Sequence, residues 1–218
     1  MNKLFAIFDM DGTLVDSMVY WQRLGREYLA SRGVTEGVDE VLERIKAMTM
    51  AESSALFIET FGLPGTPETV EAEMNAVMDE HYRSDIPLKP GAADYLAALK
   101  ARGTKMCVAT ATPEPLARAC LERLGVLEDF AFLLSCDEVA AGKDKPDVFF
   151  EAARRLGSAP AETAAFEDAL FAARTAKDAG FYTVGVYDAS GDGHWNELTA
   201  LSDETVRDWG AAAEMIKT

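Results

Sequence analysis

Two aspartates one residue apart, Asp9-Met10-Asp11, run directly into Gly12-Thr13 behind the short apolar stretch Leu4 to Phe8. A carboxylate in line with a phosphorus atom can act as a nucleophile, and a second one beside it can protonate a leaving group and then activate water. Asp and Gly also favour any strand-to-helix turn, so the pair alone does not decide between chemistry and capping. Three further polar groups follow apolar runs: Thr110-Ala111-Thr112, the cationic stretch Gly142-Lys143-Asp144-Lys145-Pro146-Asp147, and Glu167-Asp168. Carboxylates that share a pocket repel one another unless a cation joins them. An all-oxygen set of Asp9, Asp168, Glu167 and a backbone carbonyl suits Mg2+ and disfavours zinc, for which no neighbouring His or Cys is at hand. The cation and one lysine would make such a site receptive to a phosphate dianion, cradled by the Thr110 hydroxyl and the free N–H groups of a helix starting near Pro113-Glu114.

These residues need a scaffold that brings strand ends together. Leu4 to Phe8, Lys105 to Ala109, Phe132 to Ser135, Thr163 to Phe166 and Thr183 to Tyr187 read as buried strands. Helices expected over Gly91 to Arg102, Glu114 to Leu124, Asp147 to Leu156 and Ala169 to Ala179 each run into a glycine placed for a left-handed cap. The alternation predicts an α/β fold with a parallel sheet, in which ligands bind at the carboxyl ends of the strands. Residues from about 16 to 84 break the alternation. Met18, Trp21, Leu24, Tyr28 and Leu29 recur at helical spacing, as do Val38, Val41, Leu42, Ile45 and Met48, and Thr66-Pro67 reads as the start of a helix carrying Val70, Met74, Val77 and Met78. The expected organisation is a core of residues 1–15 and 85–218 with a helical insertion over 16–84, joined by two short hinges.

Composition narrows the partners. The 218 residues are 49% hydrophobic and 27% charged, a globular profile. Lys and Arg total 21 against 37 Asp and Glu, so the net charge of −16 repels nucleic acid and anionic membranes on average. No apolar run is long enough for a spanning helix, and Asp9 interrupts the N-terminal stretch before a signal peptide forms, so a cytoplasmic protein is expected. Cys107, Cys120 and Cys136 have no CxxC spacing and read as reduced, buried thiols. The run Asp188 to Asp192 reads as a solvated turn, and His81 and His194 carry no metal-ligand pattern. The sequence sets neither the oligomeric state nor the substrate.

Asp9-x-Asp11-Gly12-Thr13, Thr110 at a strand end, Lys143 ahead of Pro146-Asp147, and Glu167-Asp168 resemble, in order, the four motifs of the haloacid dehalogenase superfamily. The resemblance covers nearly the whole chain and is nearest the branch of beta-phosphoglucomutase and phosphoglycolate-type phosphatases, which carry a helical cap at the same place. It implies a Rossmann-like core with Asp9 as nucleophile and Asp11 as general acid/base. It further implies Thr110, the neighbouring Ala111 and Lys143 at the phosphate, and Asp9, the Asp11 carbonyl and Asp168 at Mg2+, with Glu167 assisting directly or through water. Spacing to Pro146-Asp147 favours Lys143 over Lys145.

Where the family's mutases carry a cap His and a cap Arg for the sugar phosphate, this chain has Trp21 and Met50, two candidates for a substrate pocket. A neutral pair cannot clamp a second phosphate. Ala169 also stands where relatives commonly have Ser. The expected activity is therefore Mg2+-dependent hydrolysis of a small phosphate monoester, with a sugar-phosphate mutase as the alternative. A haloacid dehalogenase fits less well because such relatives generally lack the second Asp, and a receiver-like phospho-acceptor would be half this length with no cap. A P-loop kinase is excluded by the absence of GxxxxGK[ST].

Overall fold

A computed structural model describes residues 2–45, 48 and 50–217. The elements run in the order β1 (Phe5–Phe8), α1 (Met18–Ser31), α2 (Val38–Ile45), α3 (Met50–Phe61), α4 (Pro67–Ser84), α5 (Ala92–Ala101), β2 (Lys105–Thr110), α6 (Glu114–Arg123) and β3 (Leu133–Ser135). They continue with α7 (Cys136–Val139), α8 (Asp147–Leu156), β4 (Thr163–Glu167), α9 (Leu170–Asp178), β5 (Tyr182–Val186), α10 (Trp195–Leu201), β6 (Glu204–Val206) and α11 (Trp209–Lys217). Two compact units result: one comprises the chain up to Met18 and from Ile86 onward, the other Val19–Asp85.

The first unit is an α/β fold around a six-stranded parallel sheet in the order β3-β2-β1-β4-β5-β6. Such a sheet must be covered on both faces, which is why its strands are apolar without alternation. Register divides the core in two. Ile7 pairs with Cys107 and Ala165, and these face Val148, Phe149 and Ala152 of α8 and Ala172 and Ala176 of α9. One residue on, Phe8 pairs with Phe166, and the two rings stack 4.2 Å apart. Trp209 of α11 packs on both of them and on Tyr95 of α5. Gly103, Gly125, Gly157 and Gly180 all take positive φ after their helices. The edge strand β6 went unpredicted because three residues carry no period.

The second unit is built of α1 to α4. Leu24, Tyr28 and Leu29 of α1, Leu56 and Phe57 of α3, and Val70, Met74, Met78 and Tyr82 of α4 are buried. Thr66 caps α4 by a reciprocal exchange with Thr69, and Pro67 occupies the first turn. The helical period that joins Val38 to Met48 overruns the structure. The α2 helix ends at Ile45, whose carbonyl accepts the Met48 N–H, and α3 starts at Met50. Met74 and Met78 are core residues, whereas Met48 is 37% exposed.

Candidate active site

Asp9 follows β1 directly, and its N–H donates to the Phe166 carbonyl of β4, so the nucleophile candidate is anchored to the neighbouring strand. Gly12 then turns the chain with φ +78°, and its N–H donates to the Val15 carbonyl. A Cβ at Gly12 would overlap the Asp168 carboxylate, so both the left-handed backbone and the close approach demand glycine here. From the other side, the buried Trp209 indole N–H donates to the Thr13 carbonyl at 3.1 Å. The two chain crossings are stitched together as well: Val15 bridges Leu88, Lys89 N–H donates to the Leu14 carbonyl, and Asp16 N–H to that of Pro87.

Carboxylate oxygens of Asp9, Glu167 and Asp168 all lie within 4.8 Å of one another. The Lys143 ammonium, only 7% exposed, donates to Asp9 and, at 2.8 Å, to Glu167. Burial works against the charge on Lys143, but Asp9 and Glu167 outweigh it and raise its pKa. Burial raises the Asp9 carboxyl and pushes Glu167 well up, with Lys143 opposing in both cases. The Asp168 carboxyl is pushed up to about 7, first by burial, then by the charges of Asp9 and Asp188. Its oxygen accepts the Thr13 hydroxyl at 3.3 Å. Three carboxylates therefore share one ammonium, and the surplus negative charge on hard oxygen donors is what a divalent cation of the Mg2+ kind would neutralise. The donor set fits such an ion.

Asp11 does not join this trio. Its two carboxylate oxygens accept the Ser17 and Thr112 hydroxyls, each at 2.6 Å, and its charge reaches Asp9. Thr110 is buried at the end of β2, where its Oγ1 accepts the Thr112 N–H, and Ala111 between them is exposed. Lys145 is exposed, so of the two lysines only Lys143 meets the carboxylates. Trp21 and Met50 belong to the helical unit, where the Trp21 indole N–H donates to the Tyr82 hydroxyl at 3.1 Å. Ser17 went unnamed in the sequence, and Thr13 and Thr112 stood inside quoted motifs without a role; that their hydroxyls donate to Asp168 and Asp11 is decided by the fold. The expectation of a solvated turn over Asp188 to Asp192 holds for Ala189, Ser190 and Asp192, which are exposed, but not for Asp188. Asp188 is 6% exposed, accepts Lys89 at 2.6 Å, and caps the turn that follows through the Ser190 N–H. No residue spacing announces that pairing, because Lys89 lies 99 positions away.

A family model for haloacid dehalogenase-like hydrolases matches residues 5–180. Among curated proteins, a beta-phosphoglucomutase of Bacillus subtilis is 31% identical over 197 residues, covering 83% of this chain and 82% of its own. A phosphoglycolate phosphatase of Shigella boydii is 30% identical over 213 residues, covering 85% and 83%. A solved structure of CbbY from Rhodobacter sphaeroides, in complex with xylulose-(1,5)bisphosphate, superposes with a TM-score of 0.70 at 25% identity and 95% coverage of both chains. Among the described residues, no helix is long and apolar enough to cross a membrane.

Proposed function

Because the chain belongs to the haloacid dehalogenase-like hydrolases, we propose that it is a Mg2+-dependent phosphatase of a small phosphate monoester, working in the cytoplasm through an aspartyl-phosphate on Asp9. The observation that carries this reading is the trio of Asp9, Glu167 and Asp168, only two of which accept the Lys143 ammonium, beside Asp11. Asp9, Asp168, Glu167 and the Asp11 carbonyl would hold the ion, which when bound offsets charge on the carboxylates and the phosphoryl group. An Asp9 oxygen attacks phosphorus, a P–O bond forms, and the ester P–O bond breaks. Asp11 in its acid form gives its proton to the departing alkoxide. The Asp11 carboxylate then takes a proton from water as that water attacks the aspartyl-phosphate, releasing inorganic phosphate and restoring Asp9. Ser17 and Thr112 hold Asp11 through both forms, since a hydroxyl can donate to the carboxylate and accept from the acid. Lys143, Thr110 and the Ala111 N–H meet the phosphoryl oxygens. Trp21 and Met50, the substrate-pocket candidates of the helical unit, are neutral side chains and favour hydrolysis over transfer to a second phosphate-bearing intermediate.

The test is phosphate release from a panel of phosphomonoesters, including sugar phosphates and phosphoglycolate, with Mg2+ and with chelator. Turnover should require Mg2+ and vanish in Asp9→Asn and Asp11→Asn; substantial residual activity in Asp9→Asn overturns the assignment. The Bacillus relative keeps a mutase in view. Phosphate migration within a sugar phosphate, dependent on a bisphosphate activator, would select that reading instead.

A further inference from the structure

At the carboxyl end of β5, next to the β4 end that carries Glu167 and Asp168, lies a second buried ion pair that the reaction does not use. The side chains of Lys89 and Asp188 are only 12% and 4% exposed. The Lys89 ammonium donates to Asp188 Oδ2 at 2.6 Å and to the Tyr187 carbonyl at 3.0 Å. The other Asp188 oxygen accepts the N–H and hydroxyl of Ser190, and its carbonyl accepts the Gly191 N–H. The whole turn after β5 is thereby tied to one lysine. That turn is closely apposed to the metal-ligand candidate: a Cβ on Gly191 would stand 3.9 Å from the Asp168 carbonyl oxygen. On its backbone side, Lys89 is bonded to Leu14, in the segment that begins with Asp9 and Asp11. Burying a charge pair is costly unless it is well hydrogen-bonded, and here the ammonium has two acceptors and both Asp188 oxygens have donors.

We propose that Lys89 and Asp188 are positioning residues for the cation site, bracing the turn after β5 against the backbone of Asp168 and linking it to the loop that carries Asp9 and Asp11. This rests on the cation reading of the site given above. Partners in the layer behind metal ligands commonly change affinity by about 10–100-fold; here, one layer further out, about tenfold is expected.

Binding of Mn2+ alone, without substrate, is measured by electron paramagnetic resonance on the whole chain, with melting temperatures recorded alongside. If the wild-type protein binds no Mn2+, the cation reading fails and the proposal with it. If it binds, Lys89→Met and Asp188→Asn should each weaken Mn2+ about tenfold. A pure charge effect would give opposite signs, because Asp188→Asn removes a negative charge near the ion and Lys89→Met removes a positive one; opposite signs therefore overturn positioning. Unchanged affinity with a lowered melting temperature also overturns it, by making the pair merely structural. Should either variant fail to fold, Ser190→Ala decides: it removes one hydroxyl donor to Asp188, and a two- to threefold weakening, roughly a third of the full effect, supports the proposal, while wild-type affinity overturns it.

Discussion

Two lysines of this chain, Lys143 buried and Lys89 half-buried, meet carboxylates at the ends of parallel strands, and they face opposite electrostatic situations. Lys89 meets one carboxylate, Asp188, whose remaining oxygen is satisfied by Ser190, so charge and hydrogen bonds both balance. Burial opposes ionisation there, but Lys89 and Ser190 win and lower the Asp188 pKa. Lys143 meets Asp9 and Glu167 with Asp168 close by, and the carboxyls are held above their ordinary range. The first arrangement is complete by itself. The second is complete only with further positive charge, which is the physical mark of a site and not of a brace.

The largest test of that contrast is to remove each ammonium. Lys143→Met strands buried carboxylates and should cost about 3–5 kcal/mol, a melting-temperature loss on the order of 10 °C, with added Mg2+ narrowing the gap to wild type. Lys89→Met leaves Asp188 its Ser190 donors and should cost about 1–3 kcal/mol. Equal losses in chelator, or a Lys143→Met deficit indifferent to Mg2+, would erase the distinction.

Next in size comes Gly12→Ala. It forces a side chain into the left-handed region and onto the Asp168 carboxylate. A loss of about 1–3 kcal/mol is expected, together with weakened Mg2+-dependent phosphate release, and retention of both would show that the trio tolerates displacement.

The smallest effect belongs to the helical unit, where His81 is the more exposed counterpart of Lys143: one ring between two carboxylates, Asp85 at 2.9 Å and Glu27 at 3.3 Å. Burial works against its charge, but the two hydrogen bonds outweigh that and raise its pKa above 6.5. A raised folded pKa means its stabilisation is present in full below the unfolded value and is lost as pH rises through the folded one. From pH 6 to pH 8 the contribution should fall by a few tenths of a kcal/mol. A thermal melt series comparing wild type with His81→Gln reads it as a small extra decline in the wild type, and identical pH profiles would refute it.

The divergence between legible and illegible features follows one line. Asp9 with Asp11 two residues on, Thr110, Glu167 and Asp168 were readable because they close or follow apolar runs, and strand ends in a parallel sheet converge on one edge, whereas Lys143 stood out by its spacing to Pro146-Asp147. Trp209 and Lys89 were not, because their partners Thr13 and Asp188 lie 196 and 99 residues away, and neither residue type nor spacing encodes such a contact. The Val38-to-Met48 periodicity indicated a helix correctly but ran three residues past its end at Ile45, because an apolar residue in phase does not by itself extend a helix.

By itself, then, the sequence determined the parallel α/β core, the helical insertion and the acidic motifs, since local periodicity and turn chemistry act over a few residues. Tertiary structure alone decided which charges balance. Only folding brings Lys143 to two of three carboxylates and Lys89 to one, and burial turns that difference of one or two charges into raised or lowered pKa values.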